Sequence, residues 1–145
     1  MKICVYGAGA IGGLIGAHLA RIGKDVTLIA RGEHLAAMRA RGLRVTGHSG
    51  DFTVNPRVTD DPADAGPQNF VIVALKAHQV AAVADRMAPL LGPETAVVMA
   101  VNGVPWWYFH GHEGPLHDRR LKSIDPDGKQ WDLIGPQRAI GCVIY

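Results

Sequence analysis

The sequence is poor in cysteine and has no long hydrophobic run, and each shortage excludes a class of protein. Its two cysteines, Cys4 and Cys142, lie in separate apolar segments and form no C-x-x-C pair, which argues against a thiolate metal site or a redox motif. We interpret them as buried free thiols in a reducing cytosol. No apolar stretch approaches the roughly 18–20 residues that span a bilayer, so we expect a cytoplasmic protein that does not associate with membranes.

Net charge is also small, which bears on possible partners. The formal net charge is +2, and the densest basic cluster, Arg119, Arg120 and Lys122, is interpreted as the solvated face of a strand. An aromatic run, Trp106–Phe109, has no basic groove beside it and does not suggest a base-stacking platform, so we expect no nucleic-acid partner. We expect these rings to pack under a loop or against a further domain. Any apolar surface they leave exposed favours self-association as a homodimer.

Residues of the types that bind metals gather in one glycine-rich stretch, which contains His110, His112, Glu113, His117 and Asp118. The stretch shows neither a helix nor a second set of residues that would orient the ligands, as zinc sites usually do. We therefore predict a solvent-facing loop and no metal site.

Glycine, in contrast, is plentiful, with 18 residues, and three of them form a G-x-G-x-x-G motif near the amino terminus. The motif, Gly7-Ala8-Gly9-Ala10-Ile11-Gly12, follows a strand-like run and leads into a helical pattern, as in dinucleotide-binding folds. Gly7 would permit the tight turn, Gly9 would let the backbone approach a pyrophosphate, and Gly12 would let the helix pack closely. The helix start would add N–H donors and a favourable dipole. The motif predicts a dinucleotide site, with a purely structural turn as the alternative.

The segment up to Gly42 alternates between strand and helix patterns. A first helix is predicted to end at Gly23, a buried strand follows at Asp25–Ala30, and a second helix around Leu35 and Met38 ends at Gly42. This order is typical of an α/β fold with a Rossmann-type, doubly wound and mainly parallel sheet. The face of the first helix that we expect to be buried consists of Ile11, Leu14, Ile15, Leu19 and Ile22.

The middle of the chain continues this pattern after an interruption. Alternating apolar residues in 43–61 predict an added antiparallel hairpin that turns at His48-Ser49-Gly50-Asp51. Buried strands are predicted at Phe70–Leu75 and Thr95–Val101, with a helix between them that ends at Gly92-Pro93. The apolar face of that helix comprises Val80, Val83, Ala84, Met87 and Leu91.

The last third is less regular. A second hairpin is predicted where Arg120–Ile124 and Gln130–Ile134 flank the turn sequence Asp125-Pro126-Asp127-Gly128. A final strand is predicted at Ala139–Tyr145. The length fits one domain, residues 1–145.

Three polar residues directly follow predicted strands, where an open parallel sheet binds its ligands. Arg31 ends the second strand, where NAD-selective sites carry an acidic residue, and its guanidinium can hold a 2′-phosphate. Lys76 and Asn102 follow the later strands and would reach the same edge, where a lysine attracts anions and an amide both donates and accepts. We predict NADP(H) as the cofactor. The alternatives are a surface arginine, a solvated strand end at Lys76 and a turn at Asn102-Gly103.

Four motifs occur together along the chain: Gly7–Gly12, Ala30-Arg31, Leu75-Lys76-Ala77-His78-Gln79 and Val101-Asn102-Gly103-Val104. Together they resemble the N-terminal domain of ketopantoate reductases (2-dehydropantoate 2-reductases). The resemblance implies NADPH-dependent reduction of a 2-keto acid, 2-dehydropantoate, to a 2-hydroxy acid in the pathway to pantothenate and coenzyme A. It implies that Gly7–Gly12 hold the pyrophosphate and Arg31 the 2′-phosphate, that Lys76 contacts the cofactor, and that Asn102 contacts cofactor and substrate.

The resemblance also implies a helical C-terminal domain with a proton-donating lysine and a substrate-binding acid, to which nothing in this sequence corresponds. We therefore expect a chain truncated before its substrate domain, which binds NADP(H) but reduces its substrate poorly or not at all. Two other functions stay open. One is a nucleotide-sensing regulatory Rossmann module, which often carries an acid where this chain has Arg31. The other is a related NADP-dependent reductase with another 2-oxo substrate.

Overall fold

A computed structural model describes residues 1–47 and 50–145 and contains a six-stranded sheet at its centre. Every strand pair in this sheet is parallel, and the spatial order is β5-β2-β1-β6-β7-β8. The predicted doubly wound parallel sheet is thus confirmed. Its strands are β1 (Lys2–Tyr6), β2 (Asp25–Ile29), β5 (Arg57–Thr59), β6 (Gln68–Val73), β7 (Leu91–Ala100) and β8 (Ala139–Cys142).

Side chains alternate along each buried strand, so both faces of the sheet are apolar. Helical segments cover both faces. On β1, Ile3 and Val5 belong to the core beneath the first two helices, whereas Cys4 and Tyr6 belong to the core on the other face. The α-helices are α1 (Ala10–Arg21), α2 (Gly32–Arg41), α3 (Pro62–Ala65) and α4 (Ala77–Val80). Two 3₁₀ helices, Ala81–Leu90 and Pro136–Arg138, and one π-helix, Gln130–Ile134, complete the set among the described residues.

Helix α1 forms where the sequence predicts it, but it buries a different face. Ile11, Leu14 and Ile22 are exposed by 38%, 45% and 67%, so the predicted large-residue face is wrong. The buried positions are instead Gly12, Gly13, Gly16 and Ala17. A Cβ on Gly16 would lie 2.9 Å from Leu28 Cδ2, so only small residues let α1 approach the sheet this closely.

The predicted hairpin in 43–61 is present as a separate antiparallel pair beside the main sheet. Strand β3 (Leu43–Val45) pairs with β4 (Phe52–Val54), with Arg44 opposite Thr53. An ion pair between Arg44 and Asp51, 2.9 Å apart, links the two sides of its connection. The predicted turn includes His48 and Ser49, which lie outside the described residues.

The segment after β6 is helical but shorter than predicted. The helix begins at Ala77 and tightens into the 3₁₀ helix that ends at Leu90, and β7 already begins at Leu91. Gly92-Pro93 therefore lies inside the start of a strand and does not end the helix. The predicted apolar face is largely correct, because Val80, Ala84 and Met87 are buried, joined by Leu90 in place of Leu91.

The predicted second hairpin at Arg120–Ile134 is wrong. The chain does turn at Asp125–Gly128, where the Gly128 N–H donates to the Asp125 carbonyl at 3.1 Å. However, the buried Asp125 carboxylate accepts hydrogen bonds from the N–H groups of Gln130 and Trp131 at 3.1 and 3.0 Å. This carboxylate caps the following turn, so the residues after Gly128 form the π-helix in place of a strand. Arg119, Arg120 and Lys122 are exposed, as predicted, but lie outside any strand.

Two smaller predictions, the last strand and the free cysteines, have clear outcomes. The last strand is present, although it spans only Ala139–Cys142. Cys4 is buried and Cys142 half-buried, and both are free thiols. In the described part of the chain no helix has the length and apolar character needed to cross a membrane.

Candidate dinucleotide-binding site

The glycine-rich loop connects the end of β1 to the start of α1 at the carboxyl edge of the sheet. Gly7 has φ +103°, a conformation that favours glycine. The N–H groups of Gly7 and Ala8 both donate to the Ile29 carbonyl, at 3.1 and 3.2 Å. These two residues therefore fix the loop to the end of β2, and their N–H groups are already used.

The space around Gly9 and Gly12 supports the separate roles predicted for them. A Cβ on Gly12 would lie 1.9 Å from the Gly7 carbonyl oxygen and 2.9 Å from Ala74 Cβ, so only glycine lets the helix pack here. A Cβ on Gly9 would meet nothing within 4 Å. Gly9 thus presents bare backbone to open space, which is what close approach of a pyrophosphate requires.

The start of α1 provides hydrogen-bond donors beside that open backbone. The first helical bond runs from the Gly13 N–H to the Gly9 carbonyl at 2.7 Å. The N–H groups of residues 9–12 have no backbone acceptor within the described chain, as expected for a helix start. The first turn contains no acidic residue that would compete for these donors. Residues of the motif thus divide into those that shape the loop and those that can donate to an anion.

Lys76 and Asn102 lie on the cleft above this loop, as their positions after β6 and β7 predict. The cleft has a volume of about 400 Å³ and is lined by Gly9, Ala10, Lys76, Asn102 and Ile144 among others. Lys76 is exposed and makes no ion pair within the described part of the chain. Its backbone is held by Gln79, whose Oε1 accepts from the Lys76 N–H at 3.2 Å. Gln79 is therefore a cap residue at the start of α4.

Asn102 has partners that the sequence did not reveal. Its Nδ2 donates to the Ile144 carbonyl at 2.7 Å, and its Oδ1 accepts from the Ile144 N–H at 2.8 Å. One N–H of the amide stays available to the cleft. The predicted contact of Asn102 with cofactor and substrate stays a prediction, but this side chain also has a structural role.

Arg31 lies on a second pocket, on the other side of the glycine loop. This pocket has a volume of about 240 Å³ and opens at the carboxyl ends of β1 and β2. Arg31 immediately precedes α2 and is exposed. It is therefore placed where an adenosine ribose would lie in a dinucleotide site of this type.

Three further residues of this pocket were missed by the sequence reasoning. His34 Nε2 donates to the Ala8 carbonyl at 2.7 Å and so holds α2 against the loop. Tyr6 and Arg86 line the pocket as well. Burial raises the pKa of the Tyr6 phenol, and the neighbouring Arg86 and Arg31 charges oppose that rise. Tyr6 adjoins the motif and gave a local signal, whereas Arg86 comes from a distant helix and gave none.

The histidine-rich stretch forms local contacts. Asp118, which has φ +52°, accepts from His110 Nδ1 at 3.0 Å and from the Gly111 N–H at 3.0 Å. The Gly111 bond, the His110 bond and the nearby His117 together hold the pKa of the Asp118 carboxyl below its ordinary value. No group of three metal-ligating side chains is found within residues 1–47 and 50–145.

Comparison with known proteins gives the family. The family model of ketopantoate reductase PanE/ApbA matches residues 3–119, which is most of the chain. The chain belongs to the ketopantoate reductase family. The resemblance inferred from the four motifs is thereby confirmed.

Individual members of the ketopantoate reductase family match along the whole chain. A 2-dehydropantoate 2-reductase of Mesorhizobium japonicum is 49% identical over 146 aligned positions, which cover 100% of this chain and 45% of that protein. A crystal structure of a provisionally named ketopantoate reductase from Ralstonia solanacearum matches with a TM-score of 0.92 and 45% identity, covering 99% of this chain and 44% of that one. The chain thus spans less than half the length of these two relatives.

A more distant structural relative carries a dinucleotide. The structure of D-mandelate dehydrogenase with NADH matches with a TM-score of 0.62 and 25% identity, covering 72% of this chain and 32% of that one. The matched fold therefore binds a nicotinamide dinucleotide in at least one relative.

Proposed function

We propose that this chain is the NADPH-binding part of a reductase that converts a 2-keto acid, 2-dehydropantoate, to the corresponding 2-hydroxy acid. The observation that carries the proposal is the pairing of open backbone at Gly9 with an arginine, Arg31, at the end of β2. The first suits a pyrophosphate, and the second suits the phosphate that distinguishes NADPH from NADH. The family supports the substrate, which in ketopantoate reductases is a 2-keto acid.

The chain's own residues have distinct parts in this proposal. The N–H groups of Gly9, Ala10 and Ile11 bind the pyrophosphate, with the dipole of α1 behind them. Arg31 donates to the 2′-phosphate. Lys76 places a positive charge at the cleft, and Asn102 orients a ligand through its remaining N–H. When bound, the nicotinamide supplies the hydride for reduction of the keto carbon.

Cofactor preference is tested by titrating the chain with NADPH and NADH. We expect NADPH to bind at least about tenfold more tightly, because hydrogen bonds to a charged group contribute about 1.5–3 kcal/mol. Arg31→Ala should weaken this preference and leave NADH binding unchanged. Arg119→Ala, which removes the same charge outside both pockets, is the matched control. Equal affinities in the wild type, or a preference for NADPH that Arg31→Ala leaves undiminished, would contradict the proposal.

The second part of the proposal concerns turnover. Because the chain corresponds to less than half of the reductases that it matches, the donor of the proton to the keto oxygen is assigned to the unmatched part of those proteins. We expect the 145-residue chain to bind NADPH without measurable oxidation of NADPH in the presence of 2-dehydropantoate. Turnover by this chain alone would show that Lys76 or another residue present here supplies the proton.

A further inference from the structure

The pocket that contains Arg31 is also lined by a second arginine, Arg86, which is distant from Arg31 in the sequence. Arg31 enters from the end of β2, and Arg86 enters from the 3₁₀ helix Ala81–Leu90, on the other face of the sheet. Tyr6, the last residue of β1, lies on the same pocket and is only 4% exposed. Its hydroxyl has no hydrogen-bond partner among the described residues.

Arg86 is held in place, whereas Arg31 is not. Nη2 of Arg86 donates to the backbone carbonyl of Asp60 at 2.9 Å, which anchors one corner of the guanidinium just beyond β5. A guanidinium has five N–H donors in a fixed plane, so four remain for another acceptor. The Arg31 side chain forms neither a hydrogen bond nor an ion pair with any described residue. A fixed donor loses less conformational entropy on binding than a mobile one.

The charges around the pocket favour an anion. Among residues 1–47 and 50–145, one carboxylate lines the pocket, that of Asp60; its Oδ1 lies 3.9 Å from Arg39 Nη2 and forms no ion pair with Arg31 or Arg86. Two guanidinium groups therefore face the pocket while its single acidic side chain is paired elsewhere. Burial raises the pKa of the Tyr6 phenol; the Arg86 and Arg31 charges oppose that rise, whereas Cys4 and Asp85 add to it.

We propose that Arg86 is a second specificity-determining residue of this site, which grips the 2′-phosphate of an adenosine 2′,5′-bisphosphate group together with Arg31. This inference rests on the proposed function, because it concerns the same cofactor. A monoester phosphate carries close to two negative charges and has three acceptor oxygens, so it can accept from two guanidinium groups at once. The free Tyr6 hydroxyl offers a further donor from β1.

The test compares two nucleotides that differ only in the 2′-phosphate. Adenosine 2′,5′-bisphosphate and adenosine 5′-monophosphate are titrated by calorimetry into the wild type, Arg86→Ala and Arg86→Gln. We expect both variants to bind the bisphosphate at least about tenfold more weakly, which corresponds to about 1.4 kcal/mol. Binding of the monophosphate should change less than about threefold. Arg86→Gln can keep a donor to the Asp60 carbonyl, so it separates loss of charge from loss of the anchor.

Controls distinguish failure of this inference from failure of the proposed function. Arg119→Ala removes a charge of the same sign outside the pocket and should change neither affinity. If the wild type prefers the bisphosphate and Arg86→Gln keeps that preference, the role of Arg86 is overturned while NADPH binding through Arg31 stands. An equal loss for both nucleotides in both variants would also overturn it, because adenine packing or folding would then be the cause. A wild type without any preference would refute both proposals.

Discussion

Asn102 and Ile144 exchange two hydrogen bonds, in which an asparagine side chain takes the place of a strand backbone. The Asn102 Nδ2 donates to the Ile144 carbonyl at 2.7 Å, and the Ile144 N–H donates back to Oδ1 at 2.8 Å. Asn102 follows β7 and Ile144 follows β8, so the exchange extends the β7–β8 pairing beyond Cys142. Because both residues line the cleft, this pair fixes one of its walls.

Removal of the Asn102 amide should therefore loosen the segment after β8. We expect Asn102→Ala to abolish the protection of the Ile144 amide against hydrogen exchange, measured by NMR, with a loss of about 1 kcal/mol in the free energy of unfolding. Asn102→Asp can still accept from the Ile144 N–H but no longer donates, so its effect should be intermediate. Asn69→Ala is the control, since Asn69 accepts one exposed bond from the Lys2 N–H. An unchanged Ile144 exchange rate in Asn102→Ala would contradict this prediction.

Alanine at the third glycine of the motif should destabilise the fold, whereas alanine at the second should weaken NADPH binding. Gly12→Ala would place a Cβ 1.9 Å from a backbone oxygen, so we expect a loss of about 1–3 kcal/mol or more in the free energy of unfolding, measured in urea. Gly9→Ala meets nothing within 4 Å and should change that free energy by less than about 0.5 kcal/mol. Its methyl group would instead cover the backbone offered to the pyrophosphate, so NADPH affinity should fall. A Gly9→Ala chain with wild-type affinity would place the pyrophosphate elsewhere.

Alkaline pH should destabilise the fold through Cys4. Burial raises the pKa of the Cys4 thiol from 9.0 to about 12. Above pH 9 the unfolded chain therefore releases this proton while the folded chain keeps it, so stability is complete below pH 9 and falls as pH rises toward 12. Between pH 9 and pH 12 the free energy of unfolding should fall by about 4 kcal/mol through this thiol.

The contribution of Cys4 is isolated by comparing variants across pH. Between pH 8 and 10.5, the free energy of unfolding of the wild type should fall by about 2 kcal/mol more than that of Cys4→Ala. Cys142→Ala, which removes the half-buried thiol, should behave like the wild type. The same pH dependence in Cys4→Ala and the wild type would show that this thiol does not contribute.

The exposed edge of the sheet leads us to propose that the chain self-associates. Strand β8 is one edge of the six-stranded sheet, and Ile140 on it is 46% exposed. An apolar edge strand is a template for pairing with a second copy. We expect sedimentation velocity to show a concentration-dependent dimer that Ile140→Lys dissociates. Ile22→Lys, at an exposed apolar position at the end of α1, is the control. A wild type that is monomeric at all concentrations would refute the proposal.

The local patterns of the sequence predicted the order of strands and helices and the glycine loop, because each depends on near neighbours. They failed where a more distant contact decides the structure. The apolar pattern of α1 favoured Leu14 as a core residue, but the close approach of Gly16 to Leu28 turns the opposite face inward. The turn signal at Asp125 was correct, yet its buried carboxylate caps a helical turn and prevents the hairpin.

The same distinction applies to the candidate site. Arg31, Lys76 and Asn102 lie at the carboxyl edge, as the sequence predicted, because each comes within three residues of the end of a strand. Arg86 and the partner of Asn102 could not be predicted, since both come from segments distant in sequence. Pairing across such distances follows from the packing of whole elements, and one sequence gives no signal for it.

The small-residue face of α1 has an effect on the opposite side of that helix. As glycine and alanine press against the sheet, the bulky aliphatic groups of Ile11 and Leu14 are turned outward, Ile11 onto the cleft lined by Lys76 and Asn102 and Leu14 onto a neighbouring pocket. Water that contacts these two side chains meets hydrocarbon, so a ligand or protein layer that covers them is favoured by the release of that water.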